Sequence, residues 1–302
     1  MSQIPFGSVV FAPLQRRPSV VIWLYHKNYC MHPLTNGPKV GRGLLLPQAI
    51  LLICVCFLLL PARSQAQKVT GWELDKMPAS LEKELALSAL PPHLRAAATV
   101  YLLEPTKGYS LVQKGSNGFI CFIARTNWEW AEFRKDVFAP MAYDPEGAKR
   151  IFPIYRDVAA MRASGNFTPL QIKDSIVNRI HKGIYKAPAR GGISYMLAPV
   201  MRVYTGQPGD RTVMTMNMPH YMFYAPYITN SDVGTDPNSP KGPWLVNAGN
   251  TILGDRKSPE GYLIMPAGEA ATAKIIADGK DLLKRLADYS PYFKVEHMDM
   301  HH

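Results

Sequence analysis

Acidic residues are missing from the first 66 positions of this 302-residue chain. All 23 Asp and Glu fall after Ala66, together with 28 of the 34 Lys and Arg. The chain as a whole carries +11, but the part after Ala66 carries only +5, too little for a strongly basic nucleic-acid binder. Cysteine is scarce too. Of four, Cys30, Cys54 and Cys56 precede Ala66, which leaves Cys121 alone after it and excludes a disulfide scaffold. Long apolar runs are missing: Ala49–Leu60 is 12 residues, whereas a membrane span needs about 20, so a multi-span membrane protein is excluded. A hydrophobic content of 47% excludes a disordered chain. There is no Walker A loop, GxGxxG, HExxH, paired CxxC or GxSxG, so no reaction follows from a motif alone.

The most legible feature is a leader. Lys39 and Arg42 precede the apolar run, and Ser64-Gln65-Ala66 follows it as a small-x-small cleavage site, the three-part layout of a secretory signal peptide. The expected organisation is residues 1–30 as an over-early start or a long n-region, with Met31 as initiator. Residues 31–66 are then the signal peptide, and residues 67–302 one exported α+β domain with a flexible C-terminal tail. The expected location is periplasmic or extracellular. Neither cysteine of the apolar run sits at its end, as a lipid anchor would require.

Within the exported part, Ser80 with Leu81, Leu85 and Leu90 predicts a helix capped by Ser80 and ended by Pro91-Pro92. Strands are expected at 98–103, 109–113 and 119–124, the last two joined as a hairpin by Gly115-Ser116-Asn117-Gly118. Asp144-Pro145 reads as an N-cap with proline at the first helical position, opening an uneven helical stretch to Gly165. Thr168-Pro169-Leu170-Gln171 is a capping box, followed by Ile172, Ile176 and Ile180 up to Gly183. Strands follow at 194–197, 201–204, 212–218, 221–225 and 262–265, with a polar loop at 228–243. A last helix spans 270–287, with Ile275, Leu282 and Leu286 inward and Gly279 a weak point. Strands and helices mix without strict alternation, so the fold class is α+β, a single mixed domain with antiparallel strands, hairpins and about four helices.

Candidate chemistry is sparse. Ser80-Leu81-Glu82-Lys83 matches S-x-x-K, but Ser80 is better explained as a cap. Ser194, behind Gly191-Gly192, is a candidate nucleophile with His220 as base and Asp232 orienting it, although no spacing forces the three together. Met214, Met216, Met218, His220 and Met222 alternate, so one strand face would collect thioethers and an imidazole, a donor set suited to copper(I). The tail, with His297, Met298, Met300, His301 and His302, offers the same ligand types. Pro219 interrupts that ladder, methionine packs irregular cores well, and Val213, Thr215 and Asn217 on the other face read as partly solvent-facing, so packing of the methionine side is favoured. Asn230, Asp232, Asp236 and Asn238 imitate a calcium loop, but Lys241 stands where an EF-hand needs a glutamate. Trp128, Glu129, Trp130 and Glu132 fit a pocket wall or a sugar-binding patch as well as an edge cover. Cys121, His93 and His181 read as structural.

Taken together, several segments resemble a family of secreted bacterial proteins of unknown function. They are 86–91, 98–101, Lys114-Gly115-Ser116-Asn117-Gly118-Phe119 with Cys121, Gly192-Ile193-Ser194-Tyr195-Met196-Leu197, Pro219-His220-Tyr221-Met222, and Thr235-Asp236-Pro237-Asn238 through Gly242-Pro243-Trp244. The resemblance implies export and a compact domain but no reaction. It also implies a second cysteine before the central helix, where this chain has Ala142-Tyr143-Asp144, so no disulfide from Cys121 is expected. Ser194 and His220 lie in its recurring segments without a role. The reading is an exported non-enzymatic binding or envelope-associated module, with a small molecule or sugar as candidate ligand, no nucleic-acid partner and no cofactor. The alternatives are a serine hydrolase on Ser194 and His220, and a copper(I) protein on the Met214–Met222 face.

Overall fold

A computed structural model describes residues 74–131, 133–204, 212–236, 239, 241–247 and 259–295. All lie in a compact unit spanning 64–302. The leader with its cleavage site, Glu132, Pro237, Asn238 and the histidine-rich tail lie outside the described residues.

The first helix, α1 (Ala79–Ser88), buries Leu81 and Leu85, and Leu90 is buried just beyond its end, as their spacing predicts. Its cap is not Ser80. Pro78 holds that position and Ser80 is exposed within the first turn, because the helix begins two residues earlier than the serine suggests. The helix instead sends the buried Glu82 into the sheet, where its Oε1 accepts the Leu103 N–H at 2.8 Å. A short turn of helix, α2 (Pro92–Arg95), follows the two prolines.

The strands are β1 (Thr99–Glu104), β2 (Gly108–Gln113), β3 (Ile120–Ala124), β4 (Ala139–Tyr143), β5 (Ile193–Met196), β6 (Met201–Tyr204), β7 (Val213–Met216), β8 (His220–Tyr224), β9 (Trp244–Asn247) and β10 (Gly261–Pro266). Eight of them form one sheet in the order β2-β1-β3-β4-β5-β8-β10-β9, while β6 and β7 make a separate ribbon. The expected hairpin between β2 and β3 does not form. β1 inserts between them, antiparallel to β2 and parallel to β3. The Gly-Ser-Asn-Gly segment therefore wraps across the start of β1 rather than turning tightly. Ser116 and Asn117 N–H groups both donate to the Ala97 carbonyl, at 2.8 and 3.2 Å, and the Asn117 side chain donates to Leu94 O at 2.8 Å. A Cβ on Gly115 would run into the Ala97–Thr99 backbone, so the glycine serves a close crossing.

Both faces of β3 and β4 are buried along their whole length. One face packs Val100, Cys121, Ile123 and Ala142 against Leu85 of α1 and Leu282 and Leu286 from the C-terminal end of the chain. The other packs Phe122, Met141 and Tyr143 against Phe152 and Tyr155, with Phe122 and Phe152 ring centroids 4.9 Å apart. A further apolar layer joins Ile154 and Val158 to Ile172, Ile176 and Ile180. Cys121 is fully buried opposite Ala142, and burial pushes its thiol up to about 12, which leaves it unreactive.

The chain is helix- and strand-rich with a mixed sheet, but its helices exceed the expected four. Eight occupy the described residues. The stretch after Asp144 divides at Ile151 into α3 (Pro145–Arg150) and α4 (Phe152–Ser164), and α5 (Pro169–His181) has the expected Thr168/Gln171 box. A short α6 (Asn230–Val233) lies in the expected polar loop, and β9 was likewise not foreseen. The last helical stretch breaks at Gly279 into α7 (Glu269–Asp278) and α8 (Lys280–Tyr289). Leu282 and Leu286 face inward, whereas Ile275 is only half-buried. No helix among the described residues is long and apolar enough to cross a membrane.

One knot fixes the α3 end of the sheet. Asp144 Oδ1 accepts the Glu146 and Gly147 N–H groups at 3.0 and 2.9 Å and the Tyr224 hydroxyl at 2.8 Å, while Oδ2 accepts the Ile193 N–H at 3.2 Å. A Cβ on Gly147 or Gly192 would collide with the Tyr224 ring or hydroxyl, whereas Gly191 faces open space. Gly147→Ala and Gly192→Ala should each destabilise the protein by about 1–3 kcal/mol. Gly191→Ala should leave the urea midpoint within error, and equal loss at all three positions would contradict the knot.

Candidate functional site

The residues singled out for catalysis occupy structural roles. Ser194 and His220 sit on the same face of adjacent strands, since Ser194 pairs with Met222 and Met196 with His220. Ser194 is fully buried, and its hydroxyl donates to the Ala142 carbonyl of β4 at 2.9 Å. His220 is buried, and its Nδ1 lies 2.7 Å from the Met218 carbonyl. A carbonyl only accepts, so the ring proton resides on Nδ1. Burial pushes this imidazole below its ordinary value of 6.5, which keeps it neutral. Asp232, on the exposed α6, accepts the Thr229 N–H at 2.8 Å and the Thr229 hydroxyl at 2.7 Å as a capping box.

The alternating methionines do not share one strand. Met214 and Met216 belong to β7 and His220 and Met222 to β8, with Pro219 in the intervening link, as proline's missing N–H dictates. Met216 and Met222 nevertheless meet Met141, Met196 and Met201 in the aromatic core, with Met214 and Met218 packed against it. On the expected outward face Asn217 is half-buried, but Val213 and Thr215 are buried, and the Arg202 Nη1 donates to Thr215 Oγ1 at 3.1 Å. Trp128 packs with α5, and Trp130 meets Tyr204 edge-on at 5.3 Å, so together with His220 they are spread over separate environments. Among the described residues no group of three or more His, Cys, Asp or Glu is placed to hold a metal ion.

The structure instead concentrates polar chemistry around Glu129 and Glu260. Glu129 lies in a 3-10 turn, Trp128–Trp130, within the link from β3 to β4. Buried arginines tie that link down through its carbonyls. Arg125 donates from Nε to Val137 O at 2.8 Å and from Nη2 to Lys135 O at 2.6 Å, and its guanidinium lies 3.5 Å over the Phe138 ring. Arg162 of α4 donates to Phe133 O at 2.8 Å and to Arg125 O at 3.0 Å. Asp136 is held by both Arg134 and Arg202, which keeps its carboxyl well below the usual range.

Glu260, just before β10, is buried, and its Oε1 accepts the hydroxyls of Tyr155 and Tyr262, each at 3.0 Å. Tyr262 in turn lies 2.9 Å from the Tyr143 hydroxyl. With its own proton given to Glu260, Tyr262 accepts from Tyr143, so a chain of hydroxyls ends on one carboxyl. Burial raises both Glu129 and Glu260, and the Glu260 charge raises Glu129 further, to about 8. The pair holds a proton at neutral pH and can exchange it there. Glu129 was visible in the sequence only as part of an acidic-aromatic cluster. Glu260 gave no signal, because its partners Tyr143, Tyr155 and Tyr262 are scattered along the chain.

Unfolding returns the Glu129 carboxyl to its ordinary value of 4.5, whereas the folded protein keeps its proton until about 8. Between those values the folded state binds more protons, so this contribution is favourable at low pH and lost as pH rises to about 8. His220 acts oppositely below 6.5, so the difference between variants isolates the pair. Glu129→Gln should gain about 1–2 kcal/mol on wild type between pH 5 and 8, with solvent at the half-buried residue screening the rest. Parallel urea midpoints against pH would contradict it.

No family model matches the chain, and no curated protein or solved structure does either.

Proposed function

We propose that this chain is an exported module that binds and does not catalyse through Ser194 and His220. The observation that supports it is the Ser194 hydroxyl: fully buried inside the sheet, it gives its proton to the Ala142 carbonyl, where no substrate carbonyl can approach. A nucleophile needs an exposed oxygen and a base oriented by a third group. Here His220 satisfies a backbone carbonyl, and Asp232 is committed to its own helix cap. Export rests on the leader, from the basic residues Lys39 and Arg42 through Ala49–Leu60 to Ser64-Gln65-Ala66, and on the resemblance to secreted bacterial proteins.

A copper(I) role is the second reading, favoured by the gathering of Met216 and Met222 with three further methionines in one cluster. The aromatic neighbours of those thioethers, Phe122, Tyr143 and Phe152, suit packing better than ligation.

Fractionated cells treated with a fluorophosphonate test the lead reading with two readouts. The protein should be found in the envelope or medium, beginning at Gln67, and should carry no label. Ser194→Ala should be unlabelled like the wild type and lose about 1 kcal/mol of stability with the buried hydrogen bond to the Ala142 carbonyl. Label on Ser194, or cytosolic protein that still carries Ala49–Leu60, would contradict it.

A further inference from the structure

The positive charge of the exported part is not spread evenly. Residues 145–190 hold nine Lys and Arg against three Asp and Glu, an excess of six where the whole part after Ala66 carries +5. Some of these cations are consumed internally. Arg162 donates to buried carbonyls, Arg179 pairs with Asp157 at 2.7 Å, and Arg150 lies 3.4 Å from Glu146. Lys149 and Lys186 are exposed and have no carboxylate partner among the described residues.

These two lysines and Arg150 open onto one cavity of about 200 Å³, completed by Pro153, Ile184 and Tyr185. The acids nearest in the chain do not neutralise it. Glu146 accepts the Ala189 N–H at 2.7 Å as well as Arg150, and Asp157 takes the Tyr185 hydroxyl at 2.7 Å together with Arg179. Beside the cavity the chain turns sharply after α5. Gly183 adopts φ +68°, and its N–H and that of Ile184 return to Ile180 O and Arg179 O at 2.9 and 3.0 Å. This backbone-locked turn leaves Ile184 60% exposed between Lys182 and Lys186. A rigid apolar tip flanked by cations over a basic hollow has no use for a free anion alone. It matches a surface whose phosphates lie at the edge of an apolar layer.

We propose that this face docks on an anionic phospholipid surface, one headgroup phosphate lying between Lys149 and Lys186 while Ile184 enters the headgroup layer. The inference rests on and deepens the reading of the chain as an exported binding module. Its failure is separable from that of the module, which serine labelling and the N-terminus read independently.

Flotation of the processed protein, beginning at Gln67, with phosphatidylcholine vesicles, with and without phosphatidylglycerol, tests it. The quantity read is the increment caused by phosphatidylglycerol, to which the six Lys and Arg before Ala66 then contribute nothing. The increment should be present at low salt and vanish at high salt. The Lys149→Ala/Lys186→Ala double variant should lower it about thirty-fold. Ile184→Ser should lower it about ten-fold. All three side chains are exposed, and unchanged thermal midpoints should confirm intact folding. No increment, or one that survives in the double variant, overturns the proposal. Calorimetric uptake of inorganic phosphate, lost in the double variant and unaccompanied by vesicle binding, would overturn it in favour of a free-phosphate site.

Discussion

Two strands in the middle of the sheet, β3 and β4, have no solvent-facing side. Every residue from Ile120 to Ala124 and from Ala139 to Tyr143 is buried, so the sheet is covered on both faces where they lie. Burial on this scale supplies the main favourable term for folding, at roughly 25 cal/mol for each Å² of apolar surface removed from water. It also imposes a condition: any polar group inside must find its partner within the protein. Much of the remaining polar architecture answers that condition.

Ser194 meets it by donating to Ala142, a β4 residue in the adjoining strand. Asp144, at the end of β4, meets it by collecting two helix N–H groups, a strand N–H and the Tyr224 hydroxyl. Arg125 and Arg162 meet it by reaching carbonyls of the β3–β4 link, which spares those carbonyls from desolvation without partners. Glu260 meets it with tyrosine hydroxyls, and the cost of burying a carboxylate there raises its pKa above the ordinary value. A serine, an aspartate or an acid pair that looks catalytic by type is, in this fold, accounted for by burial. The exposed cations Lys149 and Lys186 lie outside that account.

Local features were legible in the sequence where neighbours in the chain are neighbours in space. The Thr168/Gln171 box, the Asp144 cap and the Ile172, Ile176 and Ile180 stripe are each settled within a few residues, and each stands as expected. The β2–β3 hairpin failed because Gly115–Gly118 supplies turn chemistry whichever strand pairs with β2, and a parallel contact between β1 and β3 leaves no local mark. Helix number was underestimated because a break at Ile151 needs only a change of direction, and Gly279 marks a break only through its close approach to Pro199. The outward face of β7 was misread because alternation assumes one solvated side, whereas Arg202 covers Thr215. The site suffered most. Glu129 and Glu260 are 131 positions apart, and nothing in either segment announces the other.

Native-state hydrogen exchange tests the two-sided burial of β3 and β4 most directly. The slowly exchanging amides of Ile120–Ala124 and Ala139–Tyr143 should open only with global unfolding, and so share the protection free energy given by denaturant titration. Those of the edge strands β2 and β9, which expose Leu111, Val112 and Val246, should exchange earlier through local opening. Exchange in β3 and β4 as fast as at those edges would contradict a fold anchored on its central pair.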